Sequence, residues 1–104
     1  VSPADPKPER RIVNPAACRA KVLLEGVCRL CPQQRYLEGH HIVARSRGGD
    51  DIADNIVTLC DRCHEAIERR RPGWRFRLRI ALEAPEQAYA VAKCGEAWLD
   101  RVYA

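Results

Sequence analysis

Four of the six cysteines in this 104-residue chain fall into two Cys-x-x-Cys pairs, Cys28/Cys31 and Cys60/Cys63. Four thiolates fill the tetrahedral shell that zinc takes in structural sites. A site closed in this way has no open position for water or substrate, so such a metal folds the chain and does no chemistry. An even cysteine count also suits a disulfide framework in a secreted protein. The paired spacing, with no secretory signal ahead of it, favours zinc in a reducing compartment instead. The 28 residues between the pairs exceed the usual gap of about 15–20 in a zinc ribbon, so the gap holds an element of its own. Cys18 and Cys94 are left over and read as small buried hydrophobes.

The three histidines of the chain lie in or beside that insert. Gly39-His40-His41-Ile42 is followed by Gly48-Gly49, then Asn55, and His64 directly follows Cys63. Taken singly, each has a bland reading. A histidine is commonly a surface or core residue, a Gly-Gly step is commonly just a turn, and a lone Asn means little. Taken together, they put metal-ligating and proton-accepting imidazoles around one turn, held by a sulfur staple.

The elements that must position these groups follow from local patterns. Asn14 as N-cap and Pro15 at the first helical position start a helix over 16–25 that ends at Gly26. Residues 28–32 and 60–63 are knuckles. Residues 36–38 and 41–44 are expected to pair as two short strands across Gly39. Residues 46–51 form a loop with strong turn chemistry, and 52–59 is of mixed character. A helix is expected from about Asp61 to Arg70, stopped by Pro72-Gly73. Trp74, Phe76, Leu78, Ile80 and Leu82 alternate with Arg75, Arg77 and Arg79, and period two predicts a strand with one apolar and one cationic face. Pro85-Glu86 opens a helix to about Lys93, and 96–103 is a last short helix with Trp98, Leu99, Val102 and Tyr103 on one side.

Size and charge bound the rest. The chain has room for one domain, and a core this small often needs a staple. The expected division is a flexible arm over 1–14, rich in proline and charge, and a single domain over 15–104 with its core at 28–70 and a C-terminal strand and helices at 74–103. No apolar run is long enough to span a membrane. The net charge is +4, but residues 62–79 carry seven arginines against two glutamates and net +5, leaving −1 for the rest. A basic block of this kind suits nucleic acid. Its bland reading is a solvated face. Arg75, Arg77 and Arg79 are the candidates for phosphate-backbone contact.

The stretch from Cys28 to about Arg70 resembles the HNH endonucleases, in their branch with a four-cysteine knuckle. The match rests on the His-His-Ile step, the Gly-Gly turn, Asn55 fourteen residues after His41, and His64 nine residues later. The resemblance implies an α+β fold: a small ββα-metal unit stapled by zinc, with flanking helices. It implies an endonuclease that hydrolyses DNA phosphodiester bonds by nicking or double-strand cleavage, with one divalent cation (Mg²⁺, Mn²⁺, Ni²⁺ or Zn²⁺). His40 and His64 would hold that cation, and His41 would be the general base. Asn55 would hold the loop through backbone hydrogen bonds. Glu38 is a candidate to orient His41, and Arg35 to contact the scissile phosphate. Many members carry Asp where this chain has His40, and some carry a further His at the place of Glu68; Glu68 or water would complete the shell. The products would carry a 5′-phosphate and a 3′-hydroxyl, and the partner would be double-stranded DNA. Small proteins of this type occur in bacteriophage and bacteria, some beside DNA-packaging genes, which suggests phage packaging proteins as partners and the cytoplasm of a bacterial or infected cell as the place. The competing reading is a zinc-knuckle module that binds nucleic acid without cutting it.

Overall fold

Asn14 turns the chain into its first helix. Its side-chain Oδ1 accepts from the Ala16 N–H at 3.1 Å and its carbonyl from the Ala17 N–H at 3.0 Å. Helix α1 then runs Ala17–Glu25. The computed structural model describes residues 11–104. The first ten residues of the expected arm lie outside the described residues, while residues 11–13 are pinned to a later loop. The Ile12 N–H donates to Asp50 at 2.6 Å, the Arg11 Nε to the Gly49 carbonyl at 2.8 Å, and the Arg11 guanidinium also pairs with Asp51.

Strands β1 (Leu37–His41) and β2 (Ile56–Cys60) form one antiparallel pair, with Leu37 opposite Cys60 and His41 opposite Ile56. The expected hairpin of 36–38 with 41–44 is therefore corrected: Gly39 is mid-strand, not at the turn. The glycine serves close approach instead. A Cβ there would lie 2.8 Å from Cys18 Cβ and Sγ, so α1 packs directly on the strand backbone. The true connection is residues 42–55, with single 3₁₀ turns at Arg45–Arg47 and Ala53–Asn55. It folds back so tightly that a Cβ at Gly49 would sit 1.7 Å from the Val43 carbonyl oxygen. Buried Asn55 clamps this loop, accepting from the Val43 N–H at 2.9 Å and donating to the Val43 and Asp50 carbonyls at 3.0 and 2.9 Å.

Helix α2 (Asp61–Glu68) follows β2 without a gap. The next segment is helix α3 (Trp74–Ala81), not the expected strand. The apolar alternation also contains an i, i+4 series, Trp74, Leu78 and Leu82, and over nine residues the two periods overlap. Leu78 and Leu82 are buried, whereas Phe76 and Ile80 are 53% and 69% exposed, as a helix with one inward stripe requires. Arginine is a good helix former and adds no β preference.

Helices α4 (Ala84–Cys94) and α5 (Glu96–Val102) complete the fold. A reciprocal cap between Glu83 and Glu86 and the proline at position 85 start α4. Glu86 is also the centre of a buried ionic knot. Arg29 grips it with two bonds of 2.7 and 2.9 Å, Lys21 lies 3.3 Å away, and Arg29 also reaches Glu25 at 2.6 Å. This ties α1, the first knuckle and α4 together. The core around Val43, Val57, Leu59, Ile67, Leu78 and Leu99 sits between the β-pair and α2 on one side and the C-terminal helices on the other.

Candidate active site and metal clusters

The two knuckles meet at one point. Cys28, Cys31, Cys60 and Cys63 each offer a sulfur, all within 4.8 Å of one another, and none is in a disulfide. Cys31 Sγ lies 3.6 Å from Cys60 Sγ and 3.8 Å from Cys63 Sγ. Backbone N–H groups of Leu30 and Cys63 point at the sulfurs of Cys28 and Cys60, at 3.4 and 3.5 Å. N–H groups of the knuckles outweigh burial and hold the Cys28 thiol below its ordinary range, whereas burial and the facing sulfurs raise the Cys63 thiol, so in the absence of a cation the four sulfurs share protons. The donor set fits a tetrahedral thiolate-bound metal ion.

A second cluster lies on α2, where His64 is one residue past Cys63 and faces another way. His40, His64 and Glu68 bring one donor atom each within 4.8 Å of one another. On β1, Glu38 and His40 share a face and His41 takes the other. Glu38 accordingly holds His64, not His41: its carboxylate is 2.5 Å from His64 Nδ1. This corrects the role expected for Glu38, because residues three apart on a strand point to opposite sides. With Nδ1–H donating to Glu38, His64 turns the lone pair of Nε2 toward Glu68, 3.4 Å away. His40 Nδ1 is also 3.4 Å from the same Glu68 oxygen. Burial pushes the His40 ring below the usual imidazole range, so it is neutral at pH 7. Two imidazole nitrogens and a carboxylate oxygen thus converge, a donor set that a cation completes.

His41 lies across the strand. Its Nε2 is 2.8 Å from Asp51 Oδ1, and its Nδ1 is 3.9 Å from Cys18 Sγ. Asp51 is buried, which raises its carboxyl, but the Asn14 N–H, His41, Arg11 and Arg45 together bring it down to about 2. An ionised Asp51 fixes the His41 tautomer with the proton on Nε2 and leaves Nδ1 as an acceptor. His41 and two members of the second cluster, His64 and Glu68, open onto one cleft of about 410 Å³, lined also by Cys18, Arg45 and Ser46.

Residues 24–70 match the family model described as HNH endonuclease. This stretch is an HNH domain. A segment of 52 residues is 36% identical to the type IV methyl-directed restriction enzyme EcoKMcrA of Escherichia coli (strain K12). That match covers 41% of this chain and 19% of the enzyme's own length. No solved structure matches the chain. The HNH domain holds both donor clusters and supports a nuclease or DNA-binding role. Among the described residues, no helix is long and apolar enough to cross a membrane.

Against the sequence expectations, His40, His64 and the four cysteines come together as two clusters, and His41 reaches the same cleft as His64 from the opposite strand face. Arg35 does not join them. It is exposed in the turn before β1, and the arginine that lines the cleft is Arg45. Arg75, Arg77 and Arg79 lie on a helix, which puts Arg75 and Arg79 one turn apart and Arg77 on the other side, so the three do not form one cationic face. Arg75 donates to the Ile67 carbonyl and covers the Tyr103 ring, Arg77 stacks over Trp74, and Arg79 pairs with Asp100 at 2.8 Å. Besides Arg45, three contributors carry no clear signal in the sequence. Asp51 stands in a run that signals only a turn. Cys18 reads as core and lines the cleft. Tyr103 reads as one side of an apolar helix, yet its hydroxyl is 2.9 Å from His40 Nε2.

Proposed function

We propose that the chain is a divalent-metal-dependent endonuclease acting on duplex DNA. The observation that carries this reading is the single cleft onto which the oriented His41 imidazole and two members of the donor cluster, His64 and Glu68, open. His41 is the general base: Nδ1 takes a proton from a water in the cleft, and the Nε2–H bond to Asp51 stabilises the imidazolium that results. The water oxygen forms the new bond to phosphorus as the bond to the 3′ oxygen breaks; the departing oxygen takes a proton from solvent water, leaving a 5′-phosphate and a 3′-hydroxyl. His40, His64 and Glu68 hold the cation, with Glu38 behind His64. When bound, a divalent ion supplies positive charge beside the phosphate and the leaving oxygen. The mixed nitrogen and oxygen donors suit Mn²⁺, Ni²⁺ or Zn²⁺, and Mg²⁺ where waters fill the shell. Arg45, 57% exposed and at the cleft wall, is the phosphate contact. The Cys₄ cluster holds a structural zinc ion.

The test is a plasmid assay. Supercoiled DNA is incubated with the protein and Mg²⁺, Mn²⁺ or Ni²⁺, and with chelator as control. Nicked or linear product is expected with metal alone. His41→Ala should bind DNA with unchanged affinity and cut about 10²–10⁴-fold more slowly. Retention of DNA with no cleavage under any of these ions would replace the enzyme by a binding module.

A further inference from the structure

We propose that Tyr103, which lies beyond the matched HNH stretch, is a positioning residue that sets the tautomer of His40 and so aims the lone pair of Nδ1 into the metal cluster. The proposal rests on the reading of His40 as a metal ligand and adds what makes it one. Tyr103 follows α5 and is buried, its ring edge-on to Trp98 with centroids 6.2 Å apart. A phenylalanine would supply that packing equally well. The hydroxyl does something else. It donates its one proton to the Ile42 carbonyl at 2.7 Å. Toward His40 Nε2, at 2.9 Å, it can therefore only accept. The Nε2 atom must carry the ring proton, and Nδ1 is left with a lone pair directed at Glu68 and His64.

The other tautomer would gain a contact with Glu68, 3.4 Å from Nδ1, but it takes the place of the cation and fails at the Tyr103 end. A proton on Nδ1 would occupy the space between His40 and Glu68 where a cation belongs. It would also set the Nε2 lone pair against the hydroxyl oxygen, or draw the hydroxyl proton away from Ile42. His40 is buried, so water does not compensate for a lost partner. The outer partner of a metal-bound histidine fixes its tautomer and its orientation, and loss of such a partner costs about 10–100-fold in metal affinity. The same hydroxyl holds the backbone beside His41, so the C-terminal helices reach both halves of the site through one atom. A domain cut at residue 70 would keep the ligands and lose this lock.

The tautomer can be read without DNA or a bound cation. The full chain, loaded with zinc at its cysteines and labelled with ¹⁵N in its three histidine rings, is studied by long-range ¹H–¹⁵N correlation. Wild type should show His40 protonated at Nε2 and bare at Nδ1; a proton on Nδ1 would overturn the proposal without any variant. In Tyr103→Phe the His40 pattern should become mixed, and Mn²⁺ affinity, followed by electron paramagnetic resonance, should fall about 10–100-fold with zinc content unchanged. An unchanged His40 pattern and unchanged Mn²⁺ affinity in that variant would make Tyr103 a packing residue only. If wild type binds Mn²⁺ but never cuts DNA, the nuclease reading fails while the ring spectrum still decides the tautomer.

Discussion

The two donor clusters share helix α2 and differ in every respect that matters for function. The cysteine cluster offers four sulfurs, three of them on buried residues, and joins two knuckles far apart in sequence. The histidine cluster offers three donors of two kinds, and His64 and Glu68 open onto a cleft that also holds His41. The first arrangement is saturated; the second leaves positions for water or phosphate. One residue of offset, Cys63 to His64, assigns neighbouring side chains to the two jobs. A closed shell stabilises the fold, and an open one is free to act.

The largest effect expected from this contrast is on stability. Structural zinc contributes about 10–16 kcal/mol in small zinc-dependent folds, comparable to or above the roughly 5–15 kcal/mol total of an ordinary domain. Cys60→Ser should release zinc and abolish the cooperative melting transition followed by circular dichroism. A variant that lost the metal and kept its melting temperature would break the comparison. Glu68→Gln should do the reverse: zinc content and melting stay the same, while Mn²⁺ affinity in the open cluster falls by at least the upper end of the about 10–100-fold that an outer partner is worth. Equal losses at both clusters would mean that they are one unit.

Asp51→Asn sharpens the contrast from the cleft side. Asp51 is held at about 2 against an ordinary 3.8, so its native carboxylate adds stability that is fully present above pH 3.8. That stability is lost as pH falls from 3.8 toward 2. The variant should show a flatter acid limb in melting temperature across that window. Its cleavage rate should drop by about 100-fold, the low end for loss of acid–base assistance, because His41 is no longer oriented. An acid limb identical to wild type would remove Asp51 from the network.

Both clusters were legible in the sequence for a simple reason: ligand chemistry is carried by residue type, and Cys and His are few. The knuckle spacing and the His-His step needed no knowledge of the fold. What stayed hidden depends on approach in space. Gly39 looked like a turn because glycine serves turns and close contacts alike, and only the packing of Cys18 on it decides between them. The 74–82 segment carries both periods, and burial of Leu78 with exposure of Phe76 selects the helix. Asp51 and Tyr103 are unremarkable in type and lie 10 and 63 residues from the histidines they hold.

The smallest effect separates arginines by their partners. A charge count over 62–79 treats all seven arginines alike, but guanidiniums already engaged inside the protein have less to offer DNA. Arg79 pairs with Asp100 and is 20% exposed, whereas Arg45 stands 57% exposed at the cleft wall, with a long contact of 3.4 Å to Asp51. A phosphate contact releases condensed counterions, and its loss lowers the slope of log affinity against log salt by about 1. Arg45→Ala should therefore weaken duplex binding several-fold at moderate salt and flatten the salt dependence by that amount. Arg79→Ala should leave both near wild type. The reverse order of effects would move the DNA path off the cleft and onto α3, and the open cluster would then lie away from the phosphates it is proposed to serve.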